Sequence, residues 1–140
     1  MRPKGQAGVE YISITSFLLA AVGIIFVIAL ATYYDASSTF ASKQAVETLV
    51  NSADQVAGLG NGSVLFVDVV LPNDVKAIVV NPLYKKELVL TVGSTLGDKN
   101  FYSDSTAYFQ NVSFNSTNSG KHVMQVQLKD GNIWITEWSG

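Results

Sequence analysis

Residues 2–34 read RPKGQAGVEYISITSFLLAAVGIIFVIALATYY, and this stretch decides the architecture. From Tyr11 to Tyr34 no charged side chain occurs. As a helix those residues would reach about 36 Å, enough to cross a hydrocarbon core of about 30 Å. Ser13, Thr15 and Ser16 are tolerated in such a segment, because a helical hydroxyl can donate to the carbonyl one turn earlier. Tyr11 at one end and Tyr33 and Tyr34 at the other stand where amphipathic rings favour the headgroup level. Arg2 and Lys4 precede the run and Asp35 is the first charge after it, so the N-terminal flank is expected in the cytoplasm and the C-terminal part outside.

A secretory signal has a shorter apolar core, about 7 to 15 residues, and ends at a small-residue cleavage site. Here the helical pattern continues instead. Val46, Leu49, Val50, Ala53 and Ala57 recur at helical spacing, with Gln44, Glu47, Ser52, Asp54 and Gln55 on the other face. The sequence GLGNG at 58–62 supplies a stop, since glycine takes the left-handed cap. One rod from about Gln6 to about Leu59, on the order of 80 Å long, is therefore expected. It is apolar all round in its first half and amphipathic in its second.

The rest of the composition excludes more than it assigns. With 140 residues the chain has room for one domain plus one extended element. Charged residues are 14% and hydrophobic ones 48%, against about a quarter charged in an ordinary soluble domain. The net charge of −2 and pI of about 5.2 leave no basic stripe to displace counterions, so nucleic acid is not expected as a partner. There is no cysteine, hence no thiol chemistry, and His122 is the one histidine in the sequence. No metal cluster, cofactor motif or nucleophile and base spacing is visible, and the chain is not expected to be an enzyme.

Residues 61–140 read as a β-rich head. SVLFVDVVL (63–71), VKAIVVN (75–81) and ELVLTVG (87–93) are strand-like and separated by turn residues such as Pro72-Asn73-Asp74, which predicts an antiparallel meander. HVMQVQLKDGNIWITEW (122–138) is the strongest hairpin, with Asp130-Gly131 at its turn. Residues 93–105 read as a loop. A sheet laid on the outer half of the helix gives an α+β fold, a long N-terminal α-helix packed on a C-terminal antiparallel β-sheet. Trp134, Trp138, Tyr102, Tyr108 and Phe109 are expected as sheet core or subunit contacts, with a sticky or carbohydrate-binding surface as the alternative. His122 is expected as an ordinary polar position. Three sequons, beginning at Asn61, Asn111 and Asn115, are glycosylation candidates on the outer side of a membrane, and NSTNSGK (115–121) reads as an exposed loop.

The segment KGQAGVEY (4–11) resembles the processing site of type IV pilin precursors, in the archaeal form with glutamine after the cut. The resemblance implies that a prepilin peptidase removes residues 1–5 by cleaving Gly5–Gln6, with Lys4 before the glycine and Glu10 fifth after the cut. It implies a mature chain of helix 6–60 and head 61–140 that polymerises with identical subunits, served by an assembly ATPase and a membrane platform protein. Gly8 stands where many archaeal members carry serine.

The chemistry of Glu10 fits that resemblance. An unpaired carboxylate inside a bundle of apolar helices costs several kcal/mol. Cleavage creates a cation for it, because the new α-amino group of Gln6 can approach Glu10 of a neighbour. If an N-terminal glutamine cyclises, that charge is lost and Glu10 must be protonated or bonded differently. A filament subunit serving adhesion is the expected function; an archaellin-like motility subunit, or a membrane-anchored minor pilin or adhesin that does not polymerise in bulk, are the alternatives.

Overall fold

The computed structural model describes residues 4–140, so Met1, Arg2 and Pro3 of the expected leader lie outside the described residues. Helix α1 runs Lys4–Leu59, and the chain divides into two compact units after Ala36. Among residues 4–36 none is buried, and every Val, Leu, Ile and Phe from Val9 to Leu30 is exposed. Ser13 Oγ donates to the Val9 carbonyl at 2.9 Å and Thr32 Oγ1 to the Ile28 carbonyl at 2.9 Å, so these hydroxyls need no partner outside the helix.

In the second unit the rest of α1 buries Ser42, Ala45, Val46, Leu49, Val50, Ser52, Ala53 and Val56. These positions recur every three or four residues, which gathers them into one stripe. Ser52, expected on the polar face, is buried. Its hydroxyl donates to the Thr48 carbonyl at 2.7 Å, so burying it strands no polar group. The helix stops after Leu59, where Gly60 adopts φ 96°, as the glycine-rich sequence predicts.

Seven strands follow: β1 (Val64–Leu71), β2 (Val75–Val80), β3 (Glu87–Val92), β4 (Lys99–Asp104), β5 (Tyr108–Ser113), β6 (Gly120–Lys129) and β7 (Asn132–Glu137). They form two sheets, β1-β6-β7-β5 and β2-β3-β4. The α+β architecture stands as expected, whereas the meander is shifted by one strand. β1 does not pair with β2; the turn at Pro72–Asp74, with Asp74 at φ 60°, carries the chain from one sheet into the other. β1 instead lies antiparallel along the ten-residue β6, from Val64 opposite Gln127 to Leu71 opposite Gly120. That register puts Val67 and Val69 beside Met124 and His122 on the inner face, a match that the six-residue β2 cannot offer over the full length of β1.

The expected loop at 93–105 contains β4, whose Phe101 lies opposite Leu90 and whose Asn100 accepts from Thr91 Oγ1 at 2.9 Å. Its sequence KNFYSD has one inward apolar residue, so main-chain pairing carries the strand and the apolar alternation that marks a strand is absent. The β6–β7 hairpin turns at Asp130 and Gly131, with φ 53° and 77°. β7 then slots between β6 and β5 and runs parallel to β5. Leu88, Leu90 and Val92 of the small sheet join Val69, Leu71, Phe109, Met124, Val126, Ile133 and Ile135 of the larger one in a single core with the helix stripe.

Candidate functional site

Lys4, Gly5 and Gln6 form the first turn of α1 and are exposed. Gly5–Gln6 is therefore accessible at the helix start. A Cβ built on Gly5 meets nothing within 4 Å, so the fold places no demand for glycine at that position. Glu10 follows Gln6 by one turn, on the same face, exposed and with no bond to another described residue. The first turn contains no acid.

From this end onward α1 is long and apolar enough to cross a membrane by length and composition. Tyr11, Tyr33 and Tyr34 are exposed at the two ends of its uncharged run, the last two edge to face at 6.1 Å.

All three sequon asparagines are exposed. Asn61 follows the helix end, and its Oδ1 accepts from the Gly131 N–H at 3.0 Å. Asn111 lies at the bulge of the edge strand β5, opposite Trp134. Asn115 sits in the β5–β6 loop, and its main-chain N–H donates to Glu137 Oε2 at 2.6 Å. The aromatic set divides: Phe109 is core, Trp134 is half-buried, and Tyr102, Tyr108 and Trp138 are exposed, Trp138 against Phe66 with ring centroids at 5.2 Å.

Two polar nodes were not legible as sites. His122, expected as an ordinary polar position, is 8% exposed and bonded at both ring nitrogens: Nδ1 to Glu137 Oε1 and Nε2 to the Asn118 carbonyl, each at 2.7 Å. Burial, the largest influence, pushes its pKa down, but the bonds to Glu137 and Asn118 and the charge of Glu137 together outweigh it and leave the pKa raised. The bond from His122 is the main cause that holds Glu137 below the usual carboxylate range. In the second node Asp54 Oδ1 accepts from Ser105 Oγ at 2.6 Å, Thr106 N at 2.9 Å and Thr106 Oγ1 at 3.0 Å, tying the helix to the β4–β5 turn. Its residue types were visible, but a contact across 51 positions leaves no local signal.

Among the described residues no group of three or more His, Asp or Glu is placed to hold a metal ion. No family model, curated protein or solved structure matches the chain. The residues and their geometry alone therefore carry the functional reading.

Proposed function

We propose that this chain is the structural subunit of an extracellular type IV pilus-like filament, cleaved at Gly5–Gln6, assembled through the apolar half of α1, and serving adhesion. The observation that carries the reading is the girdle of exposed Val, Leu, Ile and Phe from Val9 to Leu30 on a helix that continues without a break into the head. An anchor alone needs a span of about 20 residues; a helix of 56 residues supplies a span and then a stripe that organises a folded domain.

The polar end of that helix supplies the chemistry of assembly. Before assembly the girdle rests in the cytoplasmic membrane, with the N-terminus inside. Cleavage leaves the α-amino group of Gln6 one turn from Glu10, and in a polymer this amine neutralises Glu10 of a neighbouring subunit. Freedom from any steric need for glycine at position 5 supports a demand imposed by the processing enzyme. The partners in this reading are identical subunits, a prepilin peptidase, an assembly ATPase and a membrane platform protein.

Electron microscopy of filaments sheared from cells, with N-terminal sequencing of their subunit, tests the reading. Filaments whose subunit begins at Gln6 are expected. A chain that retains Gly5 and is recovered as single membrane-bound molecules would overturn it.

A further inference from the structure

The loop between β5 and β6, residues 114–119, is held at both ends by one pair of inward-facing side chains. At its start Glu137 Oε2 accepts the main-chain N–H groups of Asn115 at 2.6 Å and Ser116 at 3.3 Å. At its end the Asn118 carbonyl meets His122 Nε2 at 2.7 Å, while His122 Nδ1 meets Glu137 Oε1 at 2.7 Å. The Phe114 ring stands edge to face against the imidazole at 6.3 Å.

We propose that His122 and Glu137 form a proton-operated latch that pins this loop while His122 is an imidazolium and releases it when that proton is lost to water. The geometry fixes the charge state. A carbonyl oxygen and an ionised carboxylate can only accept, so both ring nitrogens must donate, and only the imidazolium carries a proton on each. Neutral imidazole keeps one N–H. The carboxylate is the stronger acceptor, so Nδ1 retains its proton and Nε2 turns a lone pair toward the Asn118 carbonyl. That contact is repulsive, and the loop lets go from its Asn118 end.

The surroundings leave the switch to this pair. From β7 the facing charged group is Glu137. From β1 the residue opposite is Val69, and Asp68 points to the other face of the sheet, where Lys121 holds it at 2.7 Å. From the loop, Phe114 and the Asn118 carbonyl carry no titratable group.

The direction of the pH response follows. His122 has a raised pKa, so its tie is complete below the ordinary histidine value and is lost as pH rises through the folded value. Glu137 has a lowered pKa, so its ties persist through the ordinary carboxylate range and fail only as pH falls through the depressed value. The latch is closed between those limits. Opening it on the alkaline side frees the Asn118 end of the loop, beside the polar cleft lined by Asn73, Asp74, Thr117, Asn118 and Ser119, while Glu137 still holds the N–H groups of Asn115 and Ser116.

Nuclear magnetic resonance on the isotope-labelled full chain in detergent micelles tests this, and a single histidine makes the ring signals self-assigning. The ring of His122, the amides of Asn118 and Ser119 at the released end and those of Asn115 and Ser116 at the held end are followed from about pH 5 to about pH 9. The expected result is a His122 midpoint above about 6.5, with the Asn118 and Ser119 amide signals moving at the same midpoint while the exchange protection of Asn115, Ser116 and Ile133 holds. Glu137→Gln is expected to lower the His122 midpoint and abolish the coupled step in the loop. A midpoint at or below about 6.5, or Asn118 and Ser119 amides that ignore the titration, overturns the proposal. The native chain alone decides it if the variant fails to fold.

Discussion

Removing the Asp54 carboxylate measures how firmly the outer helix is fastened to the head. Three donors converge on one oxygen, at 2.6, 2.9 and 3.0 Å. An oxygen accommodates about two good bonds, so the three are not additive. Each bond to an ionised acceptor is worth about 1.5 to 3 kcal/mol net. Thr106 is exposed and recovers water when the carboxylate goes, whereas Ser105 is 6% exposed and its hydroxyl hydrogen loses its acceptor. The net cost of Asp54→Ala therefore comes to about 2 kcal/mol, close to one full charged bond. Asp54→Asn keeps an oxygen acceptor and is expected to cost about half as much. Urea unfolding of the full chain in micelles, followed by tryptophan fluorescence, reads this as a lower midpoint at unchanged slope. Burial raises the Asp54 pKa as the largest influence, yet the bonds from Ser105 and Thr106 outweigh it and leave it lowered. The carboxylate's contribution is thus present above the ordinary aspartate value and lost as pH falls through the depressed one, so the native chain and Asp54→Ala converge in acid. Equal stability of the alanine, asparagine and native chains at neutral pH would refute the reasoning.

Further outcomes follow from the same contacts. Leu49→Ala, at a position 1% exposed, should destabilise the head by about 2 to 5 kcal/mol, while Leu18→Ala, 58% exposed, should leave the urea midpoint of the head unchanged. Gly131→Val places a β-branched residue at φ 77° and should cost at least about 1 kcal/mol in the same assay. Glu10→Ala and Glu10→Gln should insert in membranes normally yet yield few or no filaments in sheared fractions; normal filaments from the alanine chain would contradict the charge-pair mechanism.

Helix α1 was legible because its signals are local: an uncharged run, then a stripe at 3.6-residue spacing, then glycines. The β6–β7 hairpin was legible for the same reason, with Asp130-Gly131 between alternating strands. The partner of β1 was not. Pairing across more than fifty residues, as between Val64 and Gln127, is decided by which register closes the core around Leu49 and Val56, and no short window holds that information. β4 escaped because its outward side chains are Asn100, Tyr102 and Asp104, a loop-like composition on a strand held by its backbone. The candidate processing segment was fully visible, since Lys4, Gly5, Gln6 and Glu10 are contiguous or one turn apart. His122 was misread because its burial depends on Glu137, fifteen residues on, and on a loop carbonyl.

The two parts of α1 also differ in what must cover them. Outside the first unit the stripe is narrow and the two sheets cover it. Within residues 9–30 every large aliphatic and phenylalanine side chain is exposed, and these side chains lie all around the helix. At about 1.5 to 3 kcal/mol per buried large side chain, about a dozen of them amount to roughly 20 to 40 kcal/mol. That is the order of free energy gained when apolar surroundings rather than water cover the girdle. Lipid and a bundle of like helices satisfy it almost equally, because lipid tails are as apolar as leucine. The hydrophobic effect therefore favours covering the helix but, in the proposed reading, contributes little to the choice between membrane and polymer. In the proposed filament that choice falls to the close packing of the helices and to the polar end, where a carboxylate that is tolerable at the water boundary becomes costly in a dry bundle unless a neighbour's amine meets it.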